Sequence, residues 1–267
     1  KKHEIFPTNL DSGTIIQSQG LFENFPARRQ FLKRPGTESN MCRQTFIEKA
    51  IPYPEIAFRL VIDKKIRLDL PDNQTIISRF LSAIDSKYNQ SLFSEIHVTD
   101  TENEIPQWRI SVVLSAPEVS RPDKKHMYVF VNGRRIQEYS MLQAIDYGAR
   151  GFYPNGTHPI CALFIEIDPH LVDFNIHPAK KEVRFKNSAP IHHAVSTSIR
   201  SFYHADIVKT LVNQTAIQQD FSFKKTENSQ ITSSKQNTDK FSITSQVTNS
   251  KYTNSQKHSP ENYKRFA

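Results

Sequence analysis

The chain has 267 residues, 37% of them hydrophobic with 18 Phe, so it can bury a real core as one large domain or two small ones. No run reaches the ~18 apolar residues of a membrane span, and no secretory signal opens the chain. It begins KKHEIFPTNL without a methionine, which predicts a fragment or a processed form. Its two cysteines, Cys42 and Cys161, are too few and too far apart for a disulfide framework or a zinc pattern; buried free thiols in a reducing compartment are expected. The net charge of +8 invites a nucleic-acid partner. Lys224 to Ala267 holds eight basic against three acidic residues, so +5 of that charge lies there and +3 in residues 1–223.

In chain order, GTIIQSQ (13–19) predicts a strand, and Pro26 opens a short helix, PARRQFL. Met41 to Ala50 has helical spacing and stops before Pro52 and Pro54. IAFRLVI (56–62) and IRLDL (66–70) flank DKK as a hairpin. Thr75 to Ile84 places Ile76, Ile77, Phe80, Leu81 and Ile84 on one side of a helix. QWRISVVLS (107–115) and HMYVFV (126–131) predict strands, and Asn132-Gly133 is a two-residue hairpin turn signal. A helix follows over 138–150, with Gly148 and Gly151 read as a helix end. ICALFIEI (160–167) is nearly continuously apolar, as a strand buried on both faces would be. A helix from Pro190 to about Val212 closes the ordered part. The expected fold is mixed α/β, with helices packed on a mixed sheet and no internal repeat. From Lys224 to Lys264, 30 of 41 residues are Ser, Thr, Asn, Gln or Lys. Such a segment buries too little apolar surface to offset its ordering entropy and is expected to be a disordered linker or tether.

Chemistry is sparse in these residues. With seven glycines the chain has neither G-x-x-x-x-G-K-[ST] nor G-x-G-x-x-G. Asp168, His170, Asp173 and His177 are close in sequence, but Pro169 and Pro178 prevent a helical ligand pair, so no metal is expected there. His192 and His193 are adjacent and point apart on a helix. NIHPAKKEVRF (175–185) places Lys180 just after Pro178. Proline restricts that backbone, and a lysine there would be a point-charge partner for a terminal phosphate; a solvated turn is the plain alternative.

Three blocks, DSGTIIQSQGLFENFPARRQFLK (11–33), YVFVNGRRI (128–136) and LFIEIDPHLVDFNIHPAKKEVRF (163–185), resemble the MutL family of DNA mismatch-repair proteins in their order. The resemblance covers about residues 1–210. It implies the end of an ATPase domain of the GHKL class over 1–23, with Gly13 and Thr14 in that domain's strand motif. A MutL transducer domain would span 24–212, and a linker 213–267. Lys180 matches the lysine that reaches the ATP γ-phosphate, and Asn175 the Asn before it. DNA contacts, largely independent of sequence, would fall to Arg28, Arg29, Lys33, Arg134 and Arg135. After VNGR this chain has Gln137, Glu138 and Tyr139 where several members carry further arginines.

The complete protein is expected to use ATP and Mg2+, to form a homodimer, and to meet a mismatch-recognition protein of the MutS type. It would act in the cytoplasm at the nucleoid in a bacterium, or in the nucleus of a eukaryote. The family's catalytic Glu, magnesium-binding Asn and Gly-rich lid have no counterpart in these residues. The chain alone is therefore expected to bind no nucleotide tightly and to hydrolyse no ATP. Two rival readings stand beside this one: a stand-alone nucleic-acid-binding module acting through the basic tail, and the transducer of another GHKL ATPase such as a type II topoisomerase subunit.

Overall fold

The computed structural model describes residues 12–101, 105–176 and 182–223. In chain order the elements are α1 (Pro26–Arg29), α2 (Pro35–Ala50), β1 (Phe58–Ile62), β2 (Lys65–Leu70), α3 (Ile76–Ala83), β3 (Phe93–Thr99), β4 (Trp108–Ser115), β5 (Ser120–Arg121), β6 (Met127–Val131), β7 (Arg134–Ile136), α4 (Tyr139–Ala149), β8 (His158–Pro159), β9 (Cys161–Ile167), β10 (Val172–Asp173), β11 (Arg184–Phe185) and α5 (Ala189–Phe223). The mixed α/β expectation holds.

Its centre is a five-stranded sheet in the order β3-β4-β9-β6-β7. β6 and β9 are parallel, and every other neighbouring pair is antiparallel. A parallel pair needs a long crossover, which β7 and α4 supply here. Because β9 is central, both of its faces must be covered, and its unbroken apolar run answers that demand.

Alternation along β6 divides the core. Met127, Val129 and Val131 join Leu163 and Ile165 beneath α4 and α5. Tyr128 and Phe130 face the other way, with Ala162, beneath α2, α3 and the β1–β2 hairpin. Aromatic rings organise this second layer: Phe130 stacks on Phe164 at 5.2 Å and on Tyr128 at 6.2 Å, and Phe80 meets Tyr128 edge-on at 5.9 Å.

Local chemistry sets the element ends. Pro35 occupies the first turn of α2, which therefore starts before the expected Met41. The Thr75 side chain accepts the Ser78 N–H at the start of α3, and Glu138 accepts the Ser140 N–H at the start of α4. Asp63 and Lys64, both at positive φ (51° and 61°), form the β1–β2 turn. Gly151 has φ +88° just past α4, as a helix end requires. Gly148 has a different role. A Cβ there would lie 2.7 Å from the Ser196 carbonyl oxygen and 2.9 Å from Ile199 Cβ, so glycine allows α4 and α5 to pack closely.

Four expectations need correction or extension. GTIIQSQ forms no strand: Ile15 and Ile16 are exposed, and no described strand pairs with the segment. A strand exists only where another edge accepts its hydrogen bonds, and none of the described sheets includes this segment. β3 escaped the sequence reading because Ser94, Glu95, His97 and Thr99 dilute its apolar pattern, as befits an edge strand. α5 runs past Val212 to Phe223. Of the two thiols only Cys161 is buried; Cys42 is exposed on α2. Burial pushes the Cys161 thiol pKa up, so it stays protonated. The 224–267 segment lies outside the described residues.

Candidate functional site

β10 and β11 pair antiparallel, with Val172 opposite Phe185 and Asp173 opposite Arg184. They clamp the base of the segment that carries Asn175 and Lys180. Val172 and Val183 bury their side chains in the core on either side of it. The Lys186 N–H donates to the Leu171 carbonyl at 2.9 Å. Asp173 Oδ1 accepts the Asn175 N–H at 2.8 Å and bends the chain as it leaves β10. Asn175 itself is exposed. Lys180 and His177 lie outside the described residues.

Beside this base stands the β6–β7 turn. Asn132 (φ 46°) and Gly133 (φ 73°) form it, as the Asn-Gly signal predicted. The Asn132 side chain acts as an extra peptide unit for β9. Its Nδ2 donates to the Ile167 carbonyl and its Oδ1 accepts the Ile167 N–H, both at 2.9 Å. Its own N–H donates to the Ile165 carbonyl at 2.9 Å. Sequence reading identified the turn but not this clasp, whose partner lies 35 residues away.

Gly133 is also held from outside, since a Cβ there would lie 2.3 Å from the Tyr53 hydroxyl. Gly133→Ala is expected to cost about 1–2 kcal/mol for the left-handed backbone alone, plus the displacement of Tyr53. Thermal unfolding of Gly133→Ala against Gly133→Ala/Tyr53→Phe measures this. The double variant should recover only part of the loss, and an unchanged Tm in the single variant would contradict the geometry.

The five cations named from sequence are placed differently. Arg134 is exposed, and its guanidinium sits 4.9 Å from the centre of the Phe174 ring, next to Asn175. The turn and the clamped segment therefore share one end of the sheet. Arg135, the next residue, points inward. Its guanidinium donates to the carbonyls of Val129 and Met127 at 3.3 Å each and to that of Ile136, over the Tyr128 ring. Burial lowers its pKa, and those donors hold the hairpin together. Arg28 and Arg29 are exposed on α1, with Arg28 against the rings of Phe22 and Phe25 at 5.9 and 5.5 Å. Lys33 has an exposed side chain, and its N–H donates to Glu38 Oε1 at 2.8 Å. Among the described residues no hydrogen bond or ring contact joins these three to the Asn175 segment. Gly13 and Thr14 are exposed.

Glu138, found where further arginines were absent, caps α4. Asp168 accepts the His170 N–H at 2.8 Å, a turn contact. Among the described residues no group of three His, Cys, Asp or Glu side chains could hold a metal, and no helix is long and apolar enough to cross a membrane. Asp146 of α4 is another polar centre that sequence reading missed. Its Oδ1 meets His158 Nδ1 at 2.8 Å, while Lys124 Nζ donates to its Oδ2. These contacts tie α4 to β8.

Residues 84–204 match the family model described as DNA mismatch repair protein, C-terminal domain. The chain is 38% identical over 197 residues to the DNA mismatch repair protein MutL of Treponema pallidum (strain Nichols), covering 74% of this chain and 31% of that protein. It is 35% identical over 196 residues to the protein of the same name from Borrelia garinii subsp. bavariensis, covering 73% and 31%. Thus the chain spans about a third of the length of these curated relatives. A crystal structure of the N-terminal domain of a DNA repair protein shares its fold, with a TM-score of 0.55 and 20% identity over 70% of this chain and 60% of that one. The family-model match runs through the central sheet, α4, the start of α5 and the clamped segment, and with these relatives it shows that the chain belongs to the MutL family of DNA mismatch-repair proteins.

Proposed function

We propose that this chain is the part of a MutL-type mismatch-repair protein that couples the state of bound ATP to contact with DNA. The observation that carries the reading is the clamped segment between β10 and β11. It bears Asn175 and Lys180, is rooted in the core at Val172 and Val183, and lies beside the exposed Arg134. A lysine on such a segment can reach the γ-phosphate of ATP held by another domain. Once that phosphate leaves, the contact is lost, so a rigid base can convert hydrolysis into domain movement.

On this reading ATP and Mg2+ belong to the complete protein. Their chemistry would come from residues outside this chain, which by itself turns over no ATP. The complete protein would form a homodimer in the cytoplasm and pass on mismatch recognition from a MutS-type partner. DNA contact would be mostly to phosphate and so independent of sequence. Arg134 is the best-placed candidate; Arg28, Arg29 and Lys33 are exposed candidates elsewhere, and the internal hydrogen bonds of Arg135 favour a structural role.

Sedimentation of the complete protein tests the reading. A non-hydrolysable ATP analogue should give a more compact species than ADP does, and Lys180→Ala should erase the difference. A nucleotide-dependent difference that survives Lys180→Ala would overturn the sensing role.

A further inference from the structure

A second basic feature lies at the same clamp. His170, Val172, Asp173, Arg184, Phe185 and Lys186 line a hollow of ≈ 240 Å³. Arg184, Lys186 and His170 are all exposed. Although Asp173 stands opposite Arg184 in the ladder, no ion pair joins them; Asp173 Oδ1 instead accepts the Asn175 N–H. Among the described residues neither Arg184 nor Lys186 has a carboxylate partner. The ladder brings the arginine, the lysine and the histidine round one hollow, and the Lys186 N–H to Leu171 bond fixes its far edge. Asp173 offsets one of the two full charges. From Val172 to Lys186 the sequence nonetheless holds four basic residues (Lys180, Lys181, Arg184, Lys186) against two acidic ones (Asp173, Glu182).

We infer that this hollow is a phosphate subsite. The Arg184 guanidinium presents a planar fork to two phosphate oxygens, and Lys186 supplies a point charge to a third. The His170 ring adds an N–H donor. A tetrahedral oxyanion suits this set better than a carboxylate, because it offers oxygens both to Arg184 and Lys186 on one chain segment and to His170 on another that lines the same hollow. The phosphate could come from a DNA backbone or from a nucleotide. The inference deepens the DNA-binding reading above and rests on it for the first of these sources.

Fluorescence anisotropy of the whole chain with a labelled duplex, across a salt series, tests it. Loss of two phosphate contacts lowers the slope of log K against log salt by about two. Arg184→Gln/Lys186→Gln should show that drop. Lys65→Gln/Arg67→Gln, which removes the same charge from exposed positions on the β1–β2 hairpin, should change the slope by less than half as much. Arg184→Lys/Lys186→Arg should retain binding, which separates a lost site from a lost fold. Equal drops in the two charge-removing pairs would overturn the subsite, since net charge alone would then explain binding.

If the unaltered chain binds no duplex, the DNA reading fails on its own, and calorimetry with inorganic tripolyphosphate decides the subsite. Binding abolished by Arg184→Gln/Lys186→Gln supports a nucleotide source. No tripolyphosphate binding overturns the subsite.

Discussion

Replacing Arg79 with alanine is expected to destabilise the fold more than any other single change considered. Arg79 lies on α3 with 0% exposure, against the Phe58 ring at 5.6 Å. One guanidinium nitrogen, Nη2, shares its two N–H groups among three carbonyls: Ile56 at 2.6 Å, Pro71 at 2.7 Å and Pro54 at 3.1 Å. These carbonyls flank the β1–β2 hairpin at both ends, so one side chain ties its entry and exit to α3. Pro54 has a second donor in the Gln74 N–H. Among the described residues no other donor reaches the Ile56 or Pro71 carbonyl. Burial lowers the arginine's pKa, while the fields of Glu55 and Asp72 raise it.

Hydrogen bonds from a charged donor contribute about 1.5–3 kcal/mol each; water can partly replace them at Ile56 and Pro71, which are exposed residues, and the cavity left by the buried side chain adds to the loss. Arg79→Ala should therefore lose roughly 3–5 kcal/mol by these two effects together. Urea unfolding would show this as a lower midpoint at unchanged slope. Arg79→Leu separates the causes, because it fills space without donating. If leucine restores the midpoint, packing rather than hydrogen bonding holds the hairpin. A loss below about 1 kcal/mol in Arg79→Ala would place the site among ordinary surface positions.

The second large effect concerns Lys180 in the complete protein. A hydrogen bond from a charged lysine to a phosphate oxygen is worth about 1.5–3 kcal/mol. At 1.4 kcal/mol per tenfold, that is roughly a 10- to 150-fold change in affinity. If Lys180 touches only the γ-phosphate, Lys180→Ala should weaken an ATP analogue by that factor and leave ADP unchanged. Lys181→Ala, one residue further on, is the control and should affect neither by more than about twofold, since a lysine that does not touch the nucleotide acts on it only through a screened charge. Calorimetric titration of both nucleotides reads this directly. Equal losses for ATP analogue and ADP would mean that Lys180 binds a shared part of the nucleotide, and the sensing mechanism would fail.

Both predictions also mark how far the chain could be read without its structure. Lys180 stood out because a proline-restricted turn and a lysine are adjacent in sequence, and because the surrounding block resembles a family motif. Nothing singled out Arg79. An arginine on a helix with an apolar stripe is ordinarily a solvated residue, and its three acceptors come from residues 8 to 25 positions away.

Arg134 and Arg135 make the same point at closer range. Alternation says that neighbours on a strand face opposite ways. It does not say which one meets solvent, and the Tyr128 ring and the hairpin carbonyls made that choice. Arg184 and Lys186 form one hollow with His170 only because β10 pairs with β11 across a ten-residue segment.

What the sequence determined by itself is local in origin. The apolar run 160–167 required a strand covered on both faces, Asn132-Gly133 required a tight turn, and Pro52 and Pro54 ended α2. Each follows from side-chain period or backbone restriction within a few residues. The tertiary structure alone decided the sheet order, the edge position of β3, the exposure of GTIIQSQ, the clasp from Asn132 to Ile167 and the inward turn of Arg135. Those outcomes depend on which distant edge, ring or carbonyl is within reach. Period fixes which residues share a face, but only the assembled fold supplies what that face meets.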